Sequence, residues 1–215
     1  MKYRDRLHAA ALLAEQLGEY AGRDPLVLGV PRGAVPMAAA IAERLDADLD
    51  VVLVRKIGMP GQEEFALGAV DEEGHVFLPT PSEAYGVDRR SIDLLAKREI
   101  ARLAQRRAAY TPMRRSIDPR GRLVIIVDDG AATGASMVAA IESVRRRGAA
   151  EIIAAVPVAS VEAADVIGRH ADRVVILATP PDFMAVALWY EDFGEVSDGD
   201  VLAILARHAR PLSAG

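Results

Sequence analysis

The sequence predicts an α/β fold in three layers, a mostly parallel sheet covered by helices on both faces, and three observations carry that expectation. Short apolar, β-branched runs such as Leu26-Val27-Leu28-Gly29-Val30, Leu123-Val124-Ile125-Ile126-Val127 and Ile152-Ile153-Ala154-Ala155-Val156 alternate with helix-like stretches. The connections between them are short and punctuated by Gly and Pro. At 215 residues, the length suits one sizeable domain with an appendage better than two domains.

Composition narrows the partners. Hydrophobic content is 51% and mean hydropathy +0.14, but Ala and Val in short runs supply it, and no run reaches the ~18 apolar residues of a membrane span. No membrane partner is expected. There is no cysteine, which removes disulfide and thiolate chemistry, and residues 1–6 carry mixed charge in place of an apolar leader. A cytoplasmic location is the resulting expectation. His8, His75, His170 and His208 lie far apart and show no zinc-ligand spacing. Net charge of −5 argues against nucleic acid as a partner. The charge is uneven, because residues 88–122 hold eleven Lys/Arg against four Asp/Glu. That stretch reads either as a solvated helix face or as an electropositive wall beside a polyanion.

Taken in order, residues 5–18 have the spacing of an amphipathic helix, with Leu7, Ala11, Leu12 and Leu17 on one face and Gly18 after it. Strand 26–30 leads through Pro31-Arg32-Gly33-Ala34 into a helix over 35–45. A strand, a tight turn and a helix in succession aim N–H groups at an anion, and Gly33 permits unusual backbone geometry there. A plain connection with an exposed Arg32 fits the same residues. Strand 49–54 ends in Arg55-Lys56 and a loop at 58–61. Residues 65–70 and 75–78, separated by Asp71-Glu72-Glu73-Gly74, form a hairpin pattern preceded by Glu63 and Glu64, a solvent-facing pair or a source of a general acid or base. Pro79-Thr80-Pro81 breaks the chain before a long helix over 91–110, and residues 111–121 read as loop. Further on come a helix ending at Arg145-Arg146-Arg147-Gly148, strand 152–156, helix 161–169, strand 174–177 and a last helix N-capped by Ser197.

The chemistry concentrates in residues 123–136. A strand buried on both faces runs into Asp128-Asp129-Gly130, then Ala131-Ala132-Thr133-Gly134-Ala135-Ser136, then a helix. Small residues at a strand-to-helix turn let successive N–H groups and the positive end of the helix dipole converge on a phosphate. Adjacent carboxylates suit neighbouring hydroxyls of a ribose. An ordinary turn with a capped helix is the plainer account of the same run.

This run resembles the phosphoribosyl pyrophosphate (PRPP) signature of type I phosphoribosyltransferases, apolar residues followed by two acids and a Thr-Gly-x-Thr/Ser loop. The resemblance implies the type I phosphoribosyltransferase-like fold, with strand order 3-2-1-4-5-6, one antiparallel strand and a small hood. It implies a single domain, in which residues 57–122 form a flexible hairpin with a basic helical insertion and residues 179–215 the hood and tail. Asp128 and Asp129 are then the catalytic pair, meeting the ribose hydroxyls and Mg2+ indirectly. Ala131, Ala132, Thr133, Gly134, Ala135 and Ser136 hold the 5′-phosphate. The loop 30–34 looks like the family's pyrophosphate loop, which assigns Arg32, Gly33 and, from the next strand, Lys56 to pyrophosphate and admits a cis or strained peptide. The implied reaction is Mg2+-dependent transfer of the 5-phosphoribosyl group from PRPP to a nitrogenous acceptor, in an enzyme that is often a homodimer.

The acceptor side is less defined. The tail gathers Phe183, Trp189 and Tyr190, which suit either stacking on an acceptor, Phe183 and Trp189 being the assigned pair, or anchoring the tail to the core. Ala132 stands where members acting on 6-oxopurines carry a carboxylate, and Gly68 where adenine-type members carry an acid. The chain is most similar to the subgroup that shares the core without a defined acceptor. A PRPP- or nucleotide-sensing protein without catalysis, and a phosphoribosyl hydrolase, are the alternatives.

Overall fold

The computed structural model describes residues 2–78, 80–110 and 116–208, without the side chains of Glu63 and Glu64. Pro79, residues 111–115 of the expected loop, and residues 209–215 of the expected tail lie outside the described residues.

Helix α1 (Arg6–Gln16) is capped by the Asp5 carboxylate, which accepts from the His8 N–H at 2.7 Å. Its buried positions are Ala9, Ala10, Leu13 and Ala14, continued by Leu17, while Leu7 is 57% exposed. The face therefore lies one position away from the expected Leu7, Ala11 and Leu12. Alanine carries little hydropathy, so a side made of alanines is outweighed in the pattern by larger leucines, although it lets α1 pack closely on α2 (Val35–Leu45).

Strand β1 (Leu26–Gly29) precedes α2, and β2 (Asp48–Val51) follows it. The run 49–54 is not one strand. The Val52 N–H makes a last rung to the Gly29 carbonyl at 3.1 Å, and the chain then leaves the main sheet. It enters a separate antiparallel sheet of β3 (Val54–Met59), β4 (Gln62–Asp71) and β5 (Val76–Phe77), in the order β3-β4-β5. Arg55 and Lys56 thus sit within β3, not at the end of a core strand, and Gly58 and Met59 are strand residues where the expected loop began. Apolar continuity through Val52-Leu53 hid the break, because both residues are buried. The expected hairpin is present as β4 and β5.

Helix α3 (Arg89–Tyr110) packs against β3 and β4 through Ile92, Ala96, Leu103 and Tyr110, with Leu95 and Ile100 half-buried. Arg107 grips Glu72 in a two-pronged pair at 2.7 Å, fixing the helix to the hairpin turn.

Strand β6 (Leu123–Val127) is wholly buried. Leu123, Ile125 and Val127 point into the core shared with α1 and α2, and Val124 and Ile126 into a second core with α4 (Ala135–Arg146). The chain continues through β7 (Glu151–Val158), α5 (Val161–Gly168) and β8 (Arg173–Ala178). Main-sheet order is β2-β1-β6-β7-β8, all parallel. The antiparallel component expected as one strand of this sheet is the separate three-stranded sheet, and α4 packs on it. After β1 the chain turns to β2 on one side, and after β6 to β7 on the other, so the switch point lies between the carboxyl ends of β1 and β6.

The C-terminal part folds back over that point. Tyr3 pairs with Tyr190, its N–H donating to the Trp189 carbonyl and its carbonyl accepting from Glu191, both at 2.8 Å. Helix α6 (Asp198–Arg207) opens with a capping box between Ser197 and Asp200 and packs on α2.

The arginines at the end of α4 are structural. Arg145 reaches the His170 carbonyl, Arg147 the Ile117 carbonyl, and Arg146 the buried Asp71 carboxylate at 2.9 Å. Asp71 also accepts the Glu73 and His75 N–H groups, at 3.0 and 2.8 Å, so one enclosed carboxylate ties the β4–β5 turn to α4. Asp71→Ala strands those donors and is expected to cost about 2–4 kcal/mol, read as a lower urea midpoint. A change below about 0.5 kcal/mol would show that this tie is not a structural anchor.

Candidate functional site

Two strand-to-helix loops meet at the switch point. The first follows β1. The Val30 N–H donates to the Val127 carbonyl at 2.9 Å, the Pro31–Arg32 peptide is cis, and α2 begins at Val35. The second follows β6 and turns through Gly134, whose φ of +74° caps α4 in the left-handed region that glycine adopts without steric cost.

Within the second loop, backbone groups divide into two sets. Ala131 belongs to the fold: its N–H donates to the Val158 carbonyl and its carbonyl accepts from Ser160, each at 2.9 Å. Its N–H is therefore committed to the sheet extension and withdrawn from the expected phosphate set. The N–H groups of Ala132, Thr133, Gly134 and Ser136 have no acceptor among the described residues, while Ala135 makes a long 3.4 Å contact to Thr133 Oγ1. These donors and Lys56 surround a recess of about 30 Å³ at the N-terminus of α4.

Beside the recess lies a cavity of about 560 Å³, floored by Asp128, Asp129 and the 30–33 loop and walled by Val186, Phe193 and Glu195. Lys56 borders both spaces. Asp128 accepts the Asp129 N–H at 2.9 Å. Burial, and next the charge of Asp129, push its carboxyl well above the ordinary carboxylate value, against the opposing pull of Lys56 and Arg6. Asp129 is also raised by burial, with Arg6 pulling it back.

Arg6 carries no motif signal, yet it is central here. Its Nε and Nη2 donate to Asp129 Oδ2 at 2.9 and 2.8 Å, its Nη1 donates to the Gly194 carbonyl at 2.7 Å, and its guanidinium stacks 3.8 Å from the Phe193 ring centroid. Tyr190 adds a hydroxyl that donates to the Asp129 carbonyl at 2.6 Å. The sequence offered only the aromatic tail as a hint. Arg6 lies 123 positions from its partner, and only the fold reveals the pairing.

Gly33 is required by proximity rather than by an unusual φ. A Cβ there would stand 2.0 Å from Asp129 Oδ2. Arg32 lines the cavity, with its guanidinium 2.7 Å from Glu195 and 3.9 Å from Asp198. Phe183 and Trp189 do not line it. They pack against the core, and Val186 and Phe193 form that wall instead, because the short helical turn at Val186–Trp189 directs Val186 toward Gly130. The side chains of Glu63 and Glu64, the candidate acid or base pair, lie outside the described residues. A trio of Asp71, Glu73 and His75 has carboxylate and imidazole atoms close together, but Arg146 already pairs with Asp71 and the trio stands apart from this cavity.

The acid pair gives the fold a pH signature. With its folded pKa raised above 3.8, Asp128 favours the fold at acidic pH and loses that advantage as pH rises through the folded value. Asp128→Asn, which keeps an oxygen for the Asp129 N–H, is expected to be more stable than the parent protein at pH 7. The gap should close as pH falls toward 3.8. Urea midpoints across that range check this, and a parent at least as stable as the variant at pH 7 would contradict it.

The chain matches the family described as "Phosphoribosyl transferase domain" over residues 4–184, so the wall at 186–196 and α6 lie beyond the matched part. Two Mycobacterium tuberculosis proteins named "Putative phosphoribosyl transferase", from strains CDC 1551 and H37Rv, are each 39% identical over 207 residues, which is 96% of this chain and 47% of theirs. The chain thus spans about half the length of these curated relatives. The crystal structure of TT1426 from Thermus thermophilus superposes with a TM-score of 0.84 at 48% identity, covering 98% of this chain and 100% of that one. Among the described residues, no helix is long and apolar enough to cross a membrane. With the match spanning most of the chain and both loops, the chain belongs to the phosphoribosyl transferase domain family.

Proposed function

We propose that this chain transfers the 5-phosphoribosyl group of PRPP to a nitrogen nucleophile and releases pyrophosphate, with Mg2+ as cofactor. The observation that carries the reading is the convergence, at one switch point, of a loop of unengaged N–H groups, an adjacent acid pair and Lys56. In this reading the N–H groups of Ala132, Thr133, Gly134 and Ser136 hold the 5′-phosphate, and Asp128 accepts from the ribose hydroxyls. Asp129 is fastened by Arg6, so its part is to shape the floor and supply negative charge beside the anomeric carbon.

Pyrophosphate would lie over the 30–33 loop and Lys56. Arg32 can join it at little cost, because its partner Glu195 is 80% exposed and a surface ion pair contributes only about 0–1 kcal/mol. The bond from C1′ to the pyrophosphate oxygen breaks with its electron pair leaving on oxygen, the nitrogen lone pair forms the new bond, and the nitrogen's proton passes to solvent. Positive charge growing on the sugar is offset by Asp128 and Asp129. Among the described lining residues the charged and polar side chains of the cavity offer carboxylate oxygens, the Ser136 hydroxyl and cations, with no histidine, a donor set suited to a hard cation shared with substrate oxygens. Asp128 would help to hold Mg2+ indirectly, through substrate hydroxyls or water, and the ion would supply neutralisation of the leaving group's charge.

One observation favours a second reading, a PRPP-sensing protein. Arg6 takes up Asp129, leaving one acid of the pair open to ligand. Pyrophosphate release from PRPP and Mg2+ across a panel of nitrogenous bases separates the readings: base-dependent release supports transfer, release without base indicates a hydrolase, and binding without turnover supports the sensor. Joint Asp128→Asn and Asp129→Asn substitution is expected to weaken Mg2+-dependent PRPP binding at least 100-fold by calorimetry. Undiminished binding would sink the site assignment. The homodimer belongs to the same proposal, and sedimentation showing only a 23.0 kDa species would remove it.

A further inference from the structure

The proposed transfer makes no use of the arginines of α3. A chamber of about 380 Å³ opens between α3 and β3, adjoining the 30–33 loop through Pro31 and Lys56. Arg98, Arg102 and Arg106, spaced four apart and hence on one helix face, line it from α3, and Arg55 and Lys56 line it from β3. Glu99 is the one acid among the described lining residues, and its carboxylate lies between Arg55 and Arg102, 2.6 Å from the latter. Five cations therefore face one carboxylate. Lys56 and Arg98 have no ion-pair or hydrogen-bond partner among the described residues, and Arg106 meets Asp198 only at 3.5 Å.

Like charges four apart on a helix repel, so an arrangement of this kind is relieved by an anion of comparable charge. A single phosphate is too small and too weakly charged to satisfy it. No aromatic ring among the described residues lines the chamber, so they give it no platform on which a base would stack. We infer that the α3–β3 chamber is a second anion site that takes a phosphoanhydride chain of three or more phosphates, free or as the polyphosphate end of a nucleotide. Because Lys56 also borders the PRPP cavity, a chain seated there competes with PRPP for it. The competition rests on the proposed phosphoribosyl transfer site, but the chamber does not.

The test is calorimetry of the full chain with sodium tripolyphosphate and, separately, ATP. Saturable binding is expected for tripolyphosphate. It should weaken about tenfold or more in Arg98→Ala and in Arg102→Ala, and fall with added salt. Arg98 has no partner to lose among the described residues, so that variant is expected to keep its fold, which circular dichroism checks. Tripolyphosphate should raise the apparent Kd for PRPP in the parent and much less so in Arg98→Ala. ATP binding more tightly than tripolyphosphate identifies a nucleotide as the source, and equal affinity identifies the inorganic chain. Absence of saturable binding overturns the inference. So does binding that survives Arg98→Ala and is lost in Thr133→Glu, which puts a carboxylate in the phosphate recess and would locate the chain there. Failure of the PRPP-site reading shows itself separately, as no PRPP binding in any of these proteins.

Discussion

The parallel pairing of β1 with β6 is the constraint on which the candidate site depends. Gly29 faces Val127 in the register, and the next rung runs from Val30 to Val127. This sets where both strands stop, and so where both loops start. A shift of one residue would exchange the two faces of β6, sending Val124 and Ile126 toward α1 and α2. Each fully buried Val or Ile contributes about 1.5–3 kcal/mol, and β6 is buried at all five positions. The register is thus held by packing on both faces, and the positions of Asp128 and of the 30–33 loop follow from it.

Arg6 adds a second level of control. It joins the first turn of α1, the acid pair and the C-terminal wall through one guanidinium, with polar contacts along its edge and the Phe193 ring against its face. A planar, delocalised cation can make both kinds of contact at once, which lysine cannot do equally well. The pair also explains why two adjacent acids are tolerated in a half-buried site. Asp129 has a cation in contact, while Asp128 relies on the Asp129 N–H and on the more distant pull of Lys56 and Arg6. The two acids share a motif but differ electrostatically, since one is paired with a guanidinium and the other is not.

Much of this was legible in the sequence where a local rule governs. The strand-to-helix turns at 30–35 and 128–135, the hairpin, the Ser197 cap and the arginines at the end of α4 follow from nearest neighbours and chain direction. What escaped depends on contacts between distant residues. Arg6 and Asp129 have no local relation, and the alanine side of α1 is apolar without being hydropathic. The break at Val52-Leu53 is invisible because both sheets bury their ends. Gly33 stands out in the sequence for its backbone freedom, whereas in the structure its small size matters through an oxygen of Asp129. The aromatic tail is legible in composition, yet which rings face the cavity depends on the turn at Val186–Trp189.

The position of Lys56 follows from that break. Had β2 continued as one strand through residue 56, the lysine would stand at the rim of the main sheet. Because the chain leaves after Val52 and pairs β3 with β4, Lys56 projects where the recess at the N-terminus of α4, the acid-floored cavity and the α3 chamber meet. One cation at such a junction cannot fully serve an anion in each space, so occupation of one lowers the attraction felt in the others. The arginines on α3 bias that balance toward the chamber, and the unengaged N–H groups of the 132–136 loop bias it toward the recess. With anions bound as proposed, coupling between the spaces needs no moving part: it follows from shared charge at a single side chain.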